Sequence, residues 1–185
     1  MAELGSDRYR ALFEAVAFAA RAHDGQRRKD KLTPYVSHPF RVALVVREVF
    51  GIDDLAALTA AVLHDAVEDT TTDFDDIRER FGGEVACLVA ALSKDKRLPE
   101  TDREKAYEDQ LASAPWQAKV CKLADIFDNL NDMSDRSPAQ QGKTVRNAHR
   151  YLSALKEELP EQVRRAWQIV SEHLARREHE VGGSR

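Results

Sequence analysis

The sequence predicts an all-α fold, a bundle of roughly eight to nine helices. Apolar residues recur at three- and four-residue steps through nearly every segment, and no stretch of useful length alternates polar with apolar residues as a strand would. No internal repeat or low-complexity tract interrupts that pattern. At 185 residues the chain has the length of one domain, expected over residues 1–178 with a disordered tail over 179–185. That is also enough chain to bury a core without disulfide staples.

Each element has a local reason. Ala11, Leu12, Ala15, Val16, Ala19 and Ala22 place a first helix over about residues 8–23. The charged stretch 25–34, with Arg27, Arg28, Lys29 and Lys31, reads as a loop. Ser37 is the expected N-cap of a second helix with Pro39 in its first turn, running to about Phe50 before Gly51 ends it. Asp53 or Asp54 caps a third helix through Leu55, Leu58, Ala61 and Val62 to about Val67, and 68–73 follows as a loop. Asp73 caps a helix ending near Phe81, and Gly82-Gly83 separates it from another over 84–93. After a polar link at 94–101, a helix covers 102–112, Pro115 opens the next and Ser137-Pro138 the one after. Pro160 opens the last, which is expected to end near Arg177.

Composition narrows the function classes. Hydrophobic residues at 43% and charged residues at 32% argue against disorder. A net charge of −4 argues against a dedicated nucleic-acid binder. No apolar run is long enough for a membrane span, and the first ten residues carry no secretory h-region, so the expected location is the cytoplasm. Cys87 and Cys121 lie far apart in apolar surroundings and read as two buried small hydrophobes. Self-association is left open by the sequence.

The chemistry concentrates at Leu63-His64-Asp65-Ala66-Val67-Glu68-Asp69, where an apolar run meets four ionisable residues. His64 and Glu68 are four apart, as are Asp65 and Asp69, so each pair falls along one helical face. Alone, this could be a helix surfacing into an acidic loop. Asp125 alters the balance, because it sits in a stripe marked by Val120, Leu123 and Phe127, and an embedded acid needs a partner. His38, at a helix start, adds a second imidazole. Two imidazoles and two carboxylates make a mixed N/O set suited to Mn²⁺, Fe²⁺ or Zn²⁺, with positions left for water and substrate.

The order His38 … His64-Asp65 … Asp125 resembles the HD-domain metal-dependent phosphohydrolases. The flanking words narrow the likeness. Ala22-His23-Asp24-Gly25-Gln26-Arg27-Arg28-Lys29 and Thr33-Pro34-Tyr35-Val36-Ser37-His38-Pro39 resemble the opening motif of the RelA/SpoT-type (p)ppGpp hydrolase domain. Leu63 to Asp69 followed by Thr70 is similar to its HDxxED block, and Phe81-Gly82-Gly83-Glu84-Val85 with Ser93-Lys94 to the stretch after it. Lys122-Leu123-Ala124-Asp125 with Asn129 is similar to the later metal and nucleotide block. The likeness covers residues 8–158, with no synthetase or regulatory region, as in stand-alone small alarmone hydrolases of the metazoan SpoT-homologue type.

That resemblance implies a helical HD-domain bundle and an enzyme of the guanosine-3′,5′-bis(diphosphate) 3′-pyrophosphohydrolase type. His38, His64, Asp65 and Asp125 would hold one Mn²⁺ or another divalent ion. Glu68 and Asp69 would be the catalytic acid pair, and Arg28, Lys29 and Asn129 would contact the substrate, a small nucleotide. A metal that brings the pKa of bound water towards ~7 supplies hydroxide at neutral pH, and either acid can shuttle its proton. The related substrates weighed are (p)ppApp, the 2′-phosphate of NADPH and a deoxynucleotide monophosphate; a non-catalytic alarmone-binding module is the rival from another class. Leu130-Asn131-Asp132-Met133 stands where the family is often more basic, and the spacing of Arg146 and Tyr151 fits its late contacts poorly.

Other residues have plainer readings. His23 is expected to act at a helix C-terminus, where the dipole favours a positive charge. Trp116 and Trp167 are expected in packing. Arg164-Arg165 and Arg176-Arg177 read as a solvated face, and Lys94 as either an exposed link residue or a phosphate contact.

Overall fold

Helices form where the periodicity places them, and their ends follow the local capping chemistry. In the computed structural model the described residues are 9–134, 136–156 and 159–182. Among them are α1 (Arg10–Ala22), α2 (Ser37–Leu44), α3 (Leu55–Leu63), the single turn α4 (Ala66–Asp69), α5 (Phe74–Leu92), α6 (Glu100–Ser113), α7 (Trp116–Asn131), α8 (Pro138–Ala154) and α9 (Glu161–Gly182). No strand occurs among these residues; one isolated antiparallel bridge pairs Arg27 with Pro34. The all-α expectation therefore holds. No helix is long and apolar enough to cross a membrane.

Several boundaries follow the expected caps. The Asp54 carboxylate accepts the Ala57 N–H at 2.8 Å. Asp73 and Asp76 form a reciprocal capping box at the start of α5, as do Ser137 and Gln140 at the start of α8. The break expected at Gly82-Gly83 is present: Gly82 has φ 87° and ψ 165°, so α5 is two helical segments joined at a kink.

Other ends differ from expectation. Ser37 is already helical and caps nothing. The turn before it supplies the carbonyls, with Ser37 N–H on Pro34 O and His38 N–H on Tyr35 O. α2 does extend to Val49, but its last turn, Val45–Val49, is wound as a π-helix. α3 stops at Leu63 instead of Val67, and the expected loop at 68–73 begins with helical turn α4. The His64 ring explains the stop: its Nδ1 donates to Ala61 O at 2.8 Å, occupying the carbonyl to which the Asp65 N–H would bond in a continued helix. α9 runs past Arg177 to Gly182, so the tail expected from His179 is helical as far as it is described. Cys121 is buried as expected, but Cys87 is exposed; α5 buries Val85, Ala86, Leu88 and Val89, which leaves position 87 facing out.

Two helices carry the core. α3 is buried from Ala57 to Leu63 and packs against α1, α2, α5 and α7. α7 buries most of its length and packs against α2, α3, α5, α8 and α9. Leu58, Leu63, Leu123 and Leu130 are fully enclosed between them and their neighbours, each stabilising by roughly 1.5–3 kcal/mol. Trp116 and Trp167 pack against this core. The ends of α3 and α7, together with α2, bring the motif residues to one place.

Candidate metal centre and active site

His38 projects from the first turn of α2, His64 and Asp65 stand at the break after α3, and Asp125 lies in the middle of α7. Their ligand atoms converge. One ligand atom each of His38, His64 and Asp65 lie within 4.8 Å of one another. His38 Nε2 is 3.5 Å from Asp65 Oδ2 and 3.2 Å from Asp125 Oδ1, while His64 Nε2 is 3.1 Å and 4.0 Å from the same two atoms.

Both imidazoles are aimed by their other nitrogen. His38 Nδ1 lies 2.7 Å from Asp128 Oδ2, and an ionised carboxylate only accepts, so Nδ1 carries the proton. His64 Nδ1 donates to the Ala61 carbonyl. Each Nε2 lone pair is thereby turned towards the carboxylates. His64 Nε2 is buried and has no hydrogen-bond partner. A buried, unpartnered nitrogen facing two carboxylates fits a divalent cation, and the N₂O₂ donor set suits Mn²⁺, Fe²⁺ or Zn²⁺.

The electrostatics point the same way. Burial opposes charge on His64, but Asp65 and Asp125 override it and push its pKa up to about 9. Burial likewise opposes charge on His38, yet hydrogen bonds with Asp125 and Asp128 raise it. Burial pushes the Asp125 carboxyl up, and Lys122, His38 and His64 more than reverse this, holding it well below the usual range. Burial similarly works against an ionised Asp65, while His64 and His38 hold its carboxyl low. Two ionised carboxylates between two imidazole nitrogens create a field that favours positive charge.

Around this centre lies a cavity of about 150 Å³ whose walls include Arg28, Tyr35, Glu68, Lys94, Lys122 and Asn129. A second cavity of about 240 Å³ shares Lys94, Lys122, Asp125 and Asn129 and continues past Arg136, Thr144, Asn147 and Tyr151. Glu68 is half-buried, and its Oε2 accepts the Lys94 backbone N–H at 3.2 Å. Burial, followed by the nearby Asp65 and Asp69 charges, raises its pKa against the pull of the Lys94 N–H.

The remaining sequence-named residues divide. Asp69 is exposed, with Oδ1 2.9 Å from Lys96 Nζ and Oδ2 accepting from the Tyr35 hydroxyl at 3.2 Å. It lies at the rim and outside the cavity lining. Arg28 is buried, donating to Asp132 Oδ2 from Nε at 3.0 Å and from Nη2 at 2.6 Å. Lys29 is exposed and lines neither cavity. Asn129 is a hub: its Nδ2 donates to Asp125 Oδ1 at 2.5 Å, and its Oδ1 accepts from Arg136 Nη2 at 3.2 Å. Arg136, not Arg146, supplies the guanidinium in the larger cavity, and Tyr151 does line it.

Lys94 is no bare link residue. Its Nζ donates to Glu104 Oε1 and to the Tyr151 hydroxyl, both at 2.7 Å, while burial and the neighbouring Lys122 lower its pKa. His23 is buried, donating from Nδ1 to Gln26 at 2.8 Å with its ring 4.9 Å from that of Tyr35. His149 pairs with Glu178 away from the cavities. Arg177 reaches inward to the Leu130 carbonyl, so the basic face of α9 is only partly solvated.

Sequence reasoning missed Tyr35, Arg41, Lys122 and Asp128. Tyr35 donates to Asp65 Oδ2 at 2.6 Å, and Lys122 Nζ sits 2.8 Å from Asp125 Oδ2. Spacing offered a signal for two of them: Lys122 and Asp128 lie three residues either side of Asp125, on its face of α7.

A helical bundle that gathers one histidine, a His-Asp pair and a distant aspartate around one point defines an HD domain. The family model described as HD domain matches residues 15–151, and the chain belongs to that family. Its relatives place it more narrowly, among the HD-domain hydrolases of the MESH1 type. It is 44% identical over 128 residues to the human guanosine-3′,5′-bis(diphosphate) 3′-pyrophosphohydrolase MESH1, covering 69% of this chain and 72% of that protein. It is 31% identical over 158 residues to the bifunctional (p)ppGpp synthase/hydrolase SpoT of Escherichia coli (strain K12), covering 82% of this chain and 22% of SpoT. A solved structure described as "A metazoan ortholog of SpoT hydrolyzes ppGpp and plays a role in starvation responses" superimposes with a TM-score of 0.79 at 29% identity, covering 90% of this chain and 95% of that one. The HD domain implies a divalent metal, and His38, His64, Asp65 and Asp125 are the residues that fit one.

Proposed function

We propose that the protein hydrolyses the 3′-pyrophosphate of an alarmone of the (p)ppGpp type, with one Mn²⁺ held by His38, His64, Asp65 and Asp125. The observation that carries this reading is the position of Glu68 and of three cations, Lys94, Lys122 and Arg136, along two adjoining cavities, one lined by all four candidate ligands and the other sharing Asp125 with it. A divalent ion there supplies Lewis acidity towards a phosphoryl oxygen and acidifies water.

The chain's own residues account for the rest. Hydrolysis breaks the bond between the 3′ oxygen and phosphorus. Water's oxygen goes to the pyrophosphate and a proton goes to the 3′ oxygen. Glu68 has Oε2 engaged by the Lys94 N–H, which leaves Oε1 to receive the proton of the attacking water. Burial raises its pKa above that of an ordinary carboxylate, which makes it a stronger proton acceptor. Asp69, fixed by Lys96 and Tyr35 at the rim, is the second member of the acid pair. Lys94 and Lys122 offset the charge of the departing pyrophosphate. Arg28, Lys29 and Asn129 are assigned to the nucleotide; Arg28 and Asn129 line the cavity, and Lys29 is the exposed neighbour of Arg28.

The further parts of the reading are a small-molecule nucleotide substrate with no nucleic acid or membrane partner, a cytoplasmic location, and residues 1–178 acting as one hydrolase unit. The test is a substrate panel of ppGpp, ppApp, NADPH and a deoxynucleotide monophosphate, with purified protein and Mn²⁺. Pyrophosphate released from ppGpp, and lost on chelation, is the expected result. Orthophosphate from NADPH or the monophosphate alone would reassign the substrate. No release from any of them with Mn²⁺ bound would refute the enzymatic reading.

A further inference from the structure

Asp128 and Arg41 belong to neither the ligand set nor the cavity walls, yet they connect the two. Asp128 follows Asp125 by three residues on α7 and is 3% exposed. Its Oδ2 receives the His38 Nδ1 proton at 2.7 Å. Arg41 grips the same carboxylate with a fork, Nε to Oδ1 at 2.6 Å and Nη2 to Oδ2 at 3.0 Å. His38 and Arg41 are three apart on α2, so one helix face presents both the ring and the guanidinium to Asp128. A buried carboxylate needs several donors, and here all three come from α2.

The guanidinium also reaches further along α7. Arg41 Nη2 is 3.4 Å from Asp132 Oδ1, while Asp132 Oδ2 holds Arg28 by Nε and Nη2. Asp128 and Asp132 stand one turn apart on the same side of α7, with Arg41 between them. The resulting chain of contacts is His38–Asp128–Arg41–Asp132–Arg28, from a metal ligand to a residue lining the cavity.

We infer that Arg41 and Asp128 are positioning residues that couple the ion to the nucleotide-binding wall. Asp128 fixes the tautomer and tilt of His38, so that Nε2 meets the ion. Arg41 holds Asp128 in place and, through Asp132, keeps the Arg28 guanidinium against the cavity. Hydrogen-bond partners of a ligating histidine commonly contribute 10–100-fold in metal affinity. A lysine at 41 would keep the charge but not the fork. This inference rests on the assignment of the four ligands above.

The experiment titrates Mn²⁺ into the metal-free protein by calorimetry and measures KM on the pyrophosphate-release assay. Asp128→Asn is expected to weaken Mn²⁺ about 10–100-fold and to shift the His38 Nδ1 ¹⁵N resonance of the metal-free protein. Arg41→Gln is expected to weaken Mn²⁺ and raise KM together. Arg28→Gln is expected to raise KM while leaving Mn²⁺ affinity unchanged, and Arg41→Lys to recover only part of either loss. A merely structural role would lower the melting temperature and leave the Mn²⁺ affinity of the folded protein alone. Parent-like Mn²⁺ affinity in Asp128→Asn overturns the inference while the ligand assignment stands. A parent that binds no divalent ion overturns both. If Asp128→Asn does not fold, Arg41→Gln carries the same test, because the Arg41 side chain is 36% exposed, and unchanged affinity there is equally fatal.

Discussion

Replacing Lys122 by methionine separates the stability of the centre from its affinity for a cation. The Lys122 ammonium is buried 2.8 Å from Asp125 Oδ2, and its Nζ lies 4.5 Å from the centre of the Tyr151 ring and 5.2 Å from that of Tyr107. At an effective dielectric of about 20, unit charges at that separation attract by about 6 kcal/mol. Methionine keeps most of the stem's volume and removes the ammonium's own desolvation penalty, so the net loss is about 3–5 kcal/mol, typical of one partner deleted from a buried pair. The loss arises because Asp125 keeps its charge among buried groups, and a divalent cation at the same carboxylate compensates it. Removing Lys122 also removes a positive charge that repels the ion. Urea denaturation in EDTA is therefore expected to show the full loss, and Mn²⁺ in excess to recover more than half of it. At one Mn²⁺ concentration well above both Kd values, the gap between parent and variant narrows by about 1.4 kcal/mol for each tenfold by which the variant binds more tightly, so this recovery requires affinity tighter by more than about tenfold. A loss in EDTA below about 0.5 kcal/mol, within the range of an ordinary surface change, would refute the argument. So would equal losses with and without Mn²⁺.

Two further perturbations follow from the geometry. Glu68→Gln is expected to lower kcat by about 10²–10⁴-fold with Mn²⁺ still bound. It is also expected to stabilise the metal-free fold at neutral pH. Burial raises the folded pKa of Glu68 above the ordinary 4.5, so its stabilising influence is present below 4.5 and is lost as pH rises through the raised value. The glutamine's advantage in melting temperature is thus absent in acid and grows upward from pH 4.5; an advantage that shrinks with rising pH would contradict it. Gly82→Ala forces a side chain into φ 87°, ψ 165°, with no atom within 4 Å of the added Cβ, so the penalty is backbone strain alone, about 2 kcal/mol by denaturant unfolding. No change would mean that the kink relaxes.

The parts of this molecule that could be read from sequence are those whose physics is local. Ser137-Pro138 with Gln140 contains everything a capping box needs within four residues, and Gly82 marks the one positive-φ position inside α5. His64-Asp65 and Asp125 stood out because ionisable residues are conspicuous beside apolar neighbours, whereas His38, between Ser37 and Pro39, gained a candidate role only from the order of the motifs. The end of α3 could not be read, since it depends on the His64 ring turning back to the Ala61 carbonyl. Nor could the capping at Ser37, because the turn at 34–36 displaces the expected side-chain bond. Arg28 looked like a free basic residue of a charged loop, and only the fold brings it to Asp132, over a hundred positions away. Asp128 drew no reading of its own from the sequence. Its meaning depends on where α2 crosses α7.

The contact between His64 Nδ1 and Ala61 O also bears on kinetics. Because the ring nitrogen substitutes for a backbone donor at the end of α3, the imidazole cannot rotate or exchange its tautomer without breaking the bond that finishes the helix. Motion of the imidazole and fraying of the helix thus become one event. Exchange of the ion should then be gated by this local opening, a sub-global unfolding step of its own. Mild denaturant, well below the global transition, is expected to accelerate metal exchange in proportion to the surface that this one helix end exposes.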